Sequence, residues 1–373
     1  MTDIVIVGGG PVGLWTAIQL KKRMPAAHIR VYERHAVYQR SHVLRLDHWS
    51  LMLYASSVHD SPEKAFVRDV TGKSLTGLKT QFAKSLYIRT NDLEAALSRY
   101  AQALDIEVII QKIEGKRHVE ELHPECQLFI AADGAHSPLR TELFGRDCLD
   151  YDALQYVVEV KCDEYAGDAP RGLKLGTGQL WQLNKTLSHT AAEYVGKQRA
   201  GKAPVTLRLF LNNEEYESLP AMSFKSPASL ETPGLPAAVC RDVQAYLATR
   251  AAQGSQLVPG SVRLTKLELS VYASRQFATI HEGRAWFLVG DAAMGVPYFR
   301  ALNSGLMLAS RLSQIMSKTT YRQKGALARK VFRYNAVYRP MHVATEFAIA
   351  RSKNWVLDSV QAAREWLAED VGA

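Results

Sequence analysis

The chain has 373 residues, 47% hydrophobic and 22% charged, with Lys plus Arg at 46 against Asp plus Glu at 37. That length and apolar content supply the core of one large or two closely packed domains, and they exclude a disordered tail or a small disulfide scaffold. The net charge of +9 comes with no nucleic-acid motif and no aromatics interleaved with a basic stripe, so nucleic acid is not the expected partner.

In chain order, Ile4-Val5-Ile6-Val7 is a continuous apolar run, the pattern of a strand buried on both faces of a parallel sheet. Gly8-Gly9-Gly10-Pro11-Val12-Gly13 follows, and then a predicted helix: Leu14, Ala17 and Ile18 share a face, Lys21, Lys22 and Arg23 suit its negative end, and Pro25 stops it. Ile29 to Glu33 reads as a second strand and completes a βαβ unit. A helix is predicted over Asn91–Leu104, a strand over Glu107–Ile110 and another buried strand over Leu128–Ala132.

From about Tyr151 to Phe277 the texture changes to strand-like stretches, Gln155–Val160, Val205–Leu211 and Leu264–Tyr272, between turns containing Pro and Gly. Trp286 to Val289 returns to the buried-strand pattern, and a helix is predicted after Gly305 with Leu308, Leu312 and Ile315 on one face. Lys318, Arg322, Lys324, Arg329, Lys330 and Arg333 then form a basic run with no acid, read as a solvated helix face. Val356, Val360, Ala363 and Leu367 recur at helical spacing. The expected organisation is a discontinuous first domain over 1–150 and 278–320, an inserted, mostly antiparallel second domain over 151–277 with a contribution from about 65–85, and C-terminal helices over 321–373.

No stretch approaches the unbroken apolar run of about 18 residues that a membrane helix needs, and the first residues lack a secretory signal pattern. A cytoplasmic protein without an integral membrane segment is therefore expected. Cys126, Cys148, Cys162 and Cys240 are scattered without metal-ligand or disulfide spacing, and read as buried free thiols.

The chemistry-bearing pattern begins with Gly8-x-Gly10-Pro11-Val12-Gly13, lying between a strand and a helix. Such glycines let the chain turn tightly and its backbone approach a pyrophosphate, with the helix N-terminus facing the phosphates. Glu33 follows Gly13 by about 20 residues, where a carboxylate accepts hydrogen bonds from the ribose hydroxyls of an adenosine. The bland alternative is a glycine turn with an ordinary surface glutamate.

Two further segments each follow an apolar strand: Ala131-Ala132-Asp133-Gly134-Ala135-His136-Ser137-Pro138-Leu139-Arg140, and Gly290-Asp291-Ala292-Ala293. With these three motifs in order the chain resembles the class A flavoprotein monooxygenases, the para-hydroxybenzoate hydroxylase-like group. The resemblance covers most of the chain and implies an α/β fold: a glutathione reductase-type, Rossmann-like FAD domain, an inserted antiparallel substrate domain and a helical tail. It implies FAD as cofactor, with Glu33-Arg34 in the first fingerprint, Asp291 on the ribityl hydroxyls, and Asp133 near the pyrophosphate and supporting nicotinamide-nucleotide docking. Arg89 resembles the family's FAD-contacting arginine just before a helix.

The stretch Arg40-Ser41-His42-Val43-Leu44-Arg45-Leu46 is similar to a segment beside the flavin in MICAL flavin domains, which makes Arg40, His42 and Arg45 candidates near the ring. Departures are equally informative. Met294 stands where many members carry histidine, and the loop Pro297-Tyr298-Phe299-Arg300-Ala301-Leu302-Asn303-Ser304-Gly305 lacks two expected glycines. Asn303 and Gly305 still match the motif's end at a helix N-terminus. Arg300 and Leu302 crowd the space beside the flavin, and Tyr298 and Phe299 line either the substrate pocket or the core.

The function so implied is an FAD-dependent monooxygenase that uses NAD(P)H, visiting transiently, and O2 to oxygenate a small, aromatic organic substrate through a flavin C4a-hydroperoxide. No catalytic residue is assigned; Arg300, His42 and His48 are the candidates, and no metal is expected. Two alternatives stay open: an FAD reductase or oxidase on the same fold, and a non-catalytic flavin-binding interaction module.

Overall fold

The computed structural model of the chain describes residues 3–37, 43–56, 61–71, 86–165, 183–184, 186–196, 198, 200–297, 300–317, 325–352 and 354–355. The chain divides into two compact units, 1–152 with 271–350, and 153–270 with 351–373.

The first unit opens with β1 (Ile4–Val7), α1 (Pro11–Arg23) and β2 (Ile29–Glu33), all three read correctly from the sequence. Each residue of β1 is buried because strands cover both its edges and helices its faces. β3 (Val43–Leu46) and β4 (Leu86–Arg89) pair antiparallel as a separate ribbon. Around them come α2 (His48–Met52), α3 (Ser61–Thr71), α4 (Thr90–Ala103), β5 (Glu107–Ile110), α5 (Lys116–Leu122), β6 (Leu128–Ala131) and α6 (Pro138–Phe144). Residues 61–71, which the sequence lent in part to the second domain, belong to the first unit. Phe66 of α3 stacks on Tyr100 of α4 at 5.4 Å, and Lys22 of α1 pairs with Glu63 at 3.0 Å. Residues 72–85 lie outside the described residues.

The second unit is built on antiparallel pairing. Ten residue pairs join β7 (Leu149–Tyr165) to β9 (Lys202–Leu211), from Tyr156↔Leu211 to Tyr165↔Lys202, and β8 (Thr190–Val195) pairs on β9's other edge. α7 (Asn213–Ser218), α8 (Ala237–Ala252), β10 (Gln256–Leu257) and β11 (Arg263–Ser274) complete it, with sheet order β11-β7-β9-β8. The sequence reading lacked α8. Its buried face carries Asp242 and Arg250 beside Val239, Val243 and Tyr246, so polar residues break the apolar period that announces a helix. Arg250, with a side chain 3% exposed, donates to both Glu164 oxygens at 2.5 and 2.6 Å and to Glu193, which also accepts from Tyr246 Oη.

Returning to the first unit, β12 (Ala278–His281) and β13 (Arg284–Leu288) complete a sheet of order β12-β13-β6-β1-β2-β5, in which only the β12–β13 pairing is antiparallel. β1 continues to β2 on one side and lies against β6 on the other, so strand order reverses at its carboxyl end. Open α/β sheets place their ligand crevice at such a switch point. β14 (Met294–Gly295), α9 (Ala301–Ser317) and α10 (Ala326–Arg333) follow, and the helix continues through a π turn at Tyr334–Tyr338 to 339–352. α9 packs along α1: Trp15 Nε1 donates to Ser310 Oγ at 2.8 Å and Arg23 Nε to Ser313 Oγ at 3.1 Å. Phe129 and Trp286 stack at 4.7 Å inside the sheet's cover.

Among the described residues, no helix is long and apolar enough to cross a membrane and no cluster of His, Cys, Asp and Glu is arranged to hold a metal. The four cysteines are free, Cys240 only partly buried. Burial pushes the Cys126 thiol to about 11 and Cys162 to about 12, which makes both inert.

Candidate functional site

The site is built around the carboxyl end of β1. Gly8 sits at φ +109°, and a Cβ there would lie 2.3 Å from the Ala132 carbonyl oxygen, so no side chain fits. A Cβ on Gly13 would lie 1.9 Å from the Gly8 oxygen, because α1 begins directly against the turn. Gly10 is the N-cap of α1 with no side-chain cap, Pro11 occupies its first turn, and no acid lies there. The positive end of α1 is thus left for an anion.

Glu33, at the end of β2, accepts from Gly9 N–H at 2.8 Å and from His35 N–H at 3.0 Å. A Cβ on Gly9 would meet Glu33 Cβ at 2.7 Å, which ties the middle glycine of the run to that carboxylate. Each Glu33 oxygen keeps a second lone pair for a hydroxyl donor. Arg34 is exposed.

The 133–140 segment and the turn at Asp291 are joined through Arg140. From α6, its guanidinium donates to Ala135 O at 2.8 Å, Ala292 O at 3.0 Å and Asp291 O at 3.4 Å. Ser137 caps α6 by accepting from Arg140 N–H at 2.9 Å. Tyr272, at the end of β11, donates to the same Asp291 carbonyl at 2.9 Å, its ring 5.7 Å from the Arg140 guanidinium. Sequence reasoning missed Tyr272. The one local signal is Gly295, whose missing Cβ leaves room for the Tyr272 ring. Asp133 accepts a long bond from Leu139 N–H at 3.4 Å, while its Oδ1 is buried without a hydrogen-bond partner, and burial pushes its carboxyl up.

A capless helix start, a turn whose glycines admit no Cβ, and an orphaned carboxylate oxygen beside it fit a dinucleotide such as FAD. Pyrophosphate would lie at Gly10–Gly13 with Asp133 near it, adenosine ribose at Glu33, and the ribityl hydroxyls at Asp291.

The altered loop differs from expectation in its start. α9 begins at Ala301 rather than after Gly305, so Asn303 and Gly305 lie inside its first turns and are buried. A Cβ on Gly305 would press on Val12 Cγ2 at 2.7 Å and on Gly290 Cα at 3.2 Å, which explains a glycine within a helix. The Asn303 side chain accepts from Asp47 N–H at 2.7 Å and Ser50 Oγ at 2.8 Å and donates to Arg45 O at 2.7 Å, clamping the β3–α2 connection onto α9. Arg45 is exposed and pairs with Asp47 at 2.8 Å; Arg89 is half-buried as the N-cap residue of α4. Arg40, His42, Tyr298 and Phe299 lie outside the described residues, as does the His48 side chain.

Arg300 is committed to Glu346, donating to both carboxylate oxygens at 2.7 Å, with the Glu346 side chain 1% exposed. Beside this pair, His342 lies 2.9 Å from Ser304 Oγ, and burial pushes its imidazole down to about 4, so it is neutral near pH 7. Neither Glu346 nor His342 was legible in the sequence, because both come from a helix some 40 residues on. Arg300→Ala is expected to cost about 3–5 kcal/mol by stranding Glu346, with Arg300→Met/Glu346→Met recovering most of it. Denaturant titration of both variants checks this, and equal loss in the double variant contradicts it.

No family model and no curated protein sequence matches the chain. Its structure is similar to that of the Diels-Alderase PyrE3 of pyrroindomycin biosynthesis, with a TM-score of 0.59 at 17% identity over 100% of this chain and 78% of that one. It is also similar to the anhydrotetracycline hydroxylase OxyS from Streptomyces rimosus, with a TM-score of 0.58 at 18% identity over 98% and 72%. A third similar structure is CtdE, solved with FAD and a substrate, with a TM-score of 0.57 at 13% identity over 94% and 88%. At such identities the likeness establishes the shared fold.

Proposed function

We propose that the chain is an FAD-dependent monooxygenase, with a glutathione reductase-type cofactor domain, that uses NAD(P)H and O2 to oxygenate a small aromatic organic molecule. The observation that carries the reading is the turn at β1, with its uncapped helix start and with Glu33 fixed on Gly9 N–H at 2.8 Å. The flavin, when bound, supplies the two-electron chemistry and the reaction with O2. The chain's own residues hold and shield it. The α1 N-terminus carries the diphosphate charge, Glu33 accepts from ribose, and Asp291 takes the ribityl hydroxyls from a backbone braced by Arg140 and Tyr272. Asn303 holds Arg45 and Asp47 against α9, which gives the ring's surroundings one conformation. OxyS, a hydroxylase by name, and CtdE, solved with FAD, support the same reading.

The visible spectrum of the purified protein, followed by anaerobic NAD(P)H and then labelled O2, tests it. Flavin absorbance, bleaching by NAD(P)H and label in an aromatic product are the expected results. Bleaching without label favours a reductase or oxidase, and bound FAD that never bleaches favours a non-catalytic module. Glu33→Ala is expected to weaken FAD binding by about 1–3 kcal/mol while leaving the flavin potential in place. A shifted potential at unchanged affinity would contradict the adenosine assignment.

A further inference from the structure

The helix that runs from Ala326 through the π turn to 350 buries one side in the first unit and leaves a continuous stripe exposed. Arg329, Phe332, Arg333, Val337, Met341 and Ala344 mark that stripe, at the helical intervals of three and four residues from 329 to 332 and from 333 to 337, 341 and 344. Phe332 is 72% exposed and Met341 59%, an unusual cost for residues of that size on a face without a partner. At 1.5 Å per residue the stripe from Arg329 to Ala344 is about 22 Å long.

Its charge has one sign. Between Gly325 and Ala350 the only acid is Glu346, buried on Arg300, and among the described residues neither Arg329 nor Arg333 carries an ion pair. Lys330 turns inward instead, donating to Ile315 O at 2.5 Å and Met316 O at 3.2 Å. A cavity of about 700 Å³ opens on the same face, lined by Ile315, Phe332 and Val337 together with Arg329 and Arg333. Apolar side chains interleaved with unpaired guanidinium groups are the surface that lies at an anionic lipid interface, with aromatic and aliphatic groups in the acyl boundary and cations among headgroups. A second copy of the chain fits less well, since its matching face brings only like charge.

We propose that this face docks on an anionic lipid bilayer. The inference is independent of the flavin reading, since none of these residues belongs to the candidate site.

Cosedimentation of the full chain with phosphatidylcholine vesicles, with and without phosphatidylglycerol, tests it. Binding is expected only with phosphatidylglycerol. Phe332→Ser/Met341→Ser and Arg329→Glu/Arg333→Glu are each expected to weaken it by about tenfold or more. Lys225→Glu/Arg263→Glu, which reverses two exposed cations elsewhere, is expected to bind like the parent. All these positions are exposed, and circular dichroism confirms that the variants fold. The proposal is overturned if the parent does not bind the anionic vesicles, if neither face variant weakens binding, or if the control variant weakens it equally. It is likewise overturned if light scattering shows a dimer that Phe332→Ser/Met341→Ser separates, since the face then serves a second copy.

Discussion

Gly13→Ala is expected to give a protein that purifies without flavin and melts well below its parent. The added Cβ would lie 1.9 Å from the Gly8 carbonyl oxygen, and backbone on both sides of the contact is held: Gly8 by its bond to the Tyr32 carbonyl, Gly13 by α1. Neither element can give way without opening the turn that presents the α1 N-terminus. The cost is roughly 3 kcal/mol or more, as for other backbone clashes in buried turns. Gly283→Ala is the control. Gly283, unlike Gly13, has a positive φ, +78°, but a Cβ there meets nothing within 4 Å, so only left-handed strain of about 1–2 kcal/mol applies and flavin content stays full. Flavin absorbance per chain and a melting curve for each variant decide the matter. Full flavin in Gly13→Ala would mean that this turn does not hold the dinucleotide.

The second large effect is expected at Arg250, far in sequence from every motif. Its guanidinium neutralises Glu164 and Glu193 inside the second unit, where all three side chains are almost fully removed from water. Arg250→Met leaves two carboxylates buried without a counter-charge, and the expected loss is about 3–5 kcal/mol in denaturant titration. Replacing the carboxylates as well, with Glu164→Leu/Glu193→Leu in the Arg250→Met background, is expected to restore most of it, since apolar groups of similar volume need no partner. A parent-like midpoint for Arg250→Met alone would show that water reaches the pair.

The parts of the site that were legible in the sequence are those whose physics is local. β1, α1 and β2 follow from an unbroken apolar run, a glycine turn and a helical period within one short stretch, and Glu33 follows from its distance to that turn. Residues 151–277 read as antiparallel strands for the same reason, although β9 is longer than the apolar alternation shows, because its exposed end at Lys202 still pairs with Tyr165 of β7. α8 was hidden by Asp242 and Arg250 on its buried face. α9 starts earlier than the sequence pattern predicts because Gly305, instead of marking the helix's edge, is a contact point for Val12 and Gly290 inside it.

The sequence by itself determined the βαβ unit, its glycine turn and the carboxylate at the end of β2, since these depend on side-chain periodicity and backbone freedom within about 30 residues. Tertiary structure alone decided what the long-range partners do. It brought Asn303 onto the backbone of Arg45 and Asp47, set Arg140 and Tyr272 on the Asp291 carbonyl, and paired Arg300 with the buried Glu346. The reason is physical: a buried charge or amide is defined by whichever group satisfies it, and that group arrives from a distant segment whose position is fixed only when the core closes.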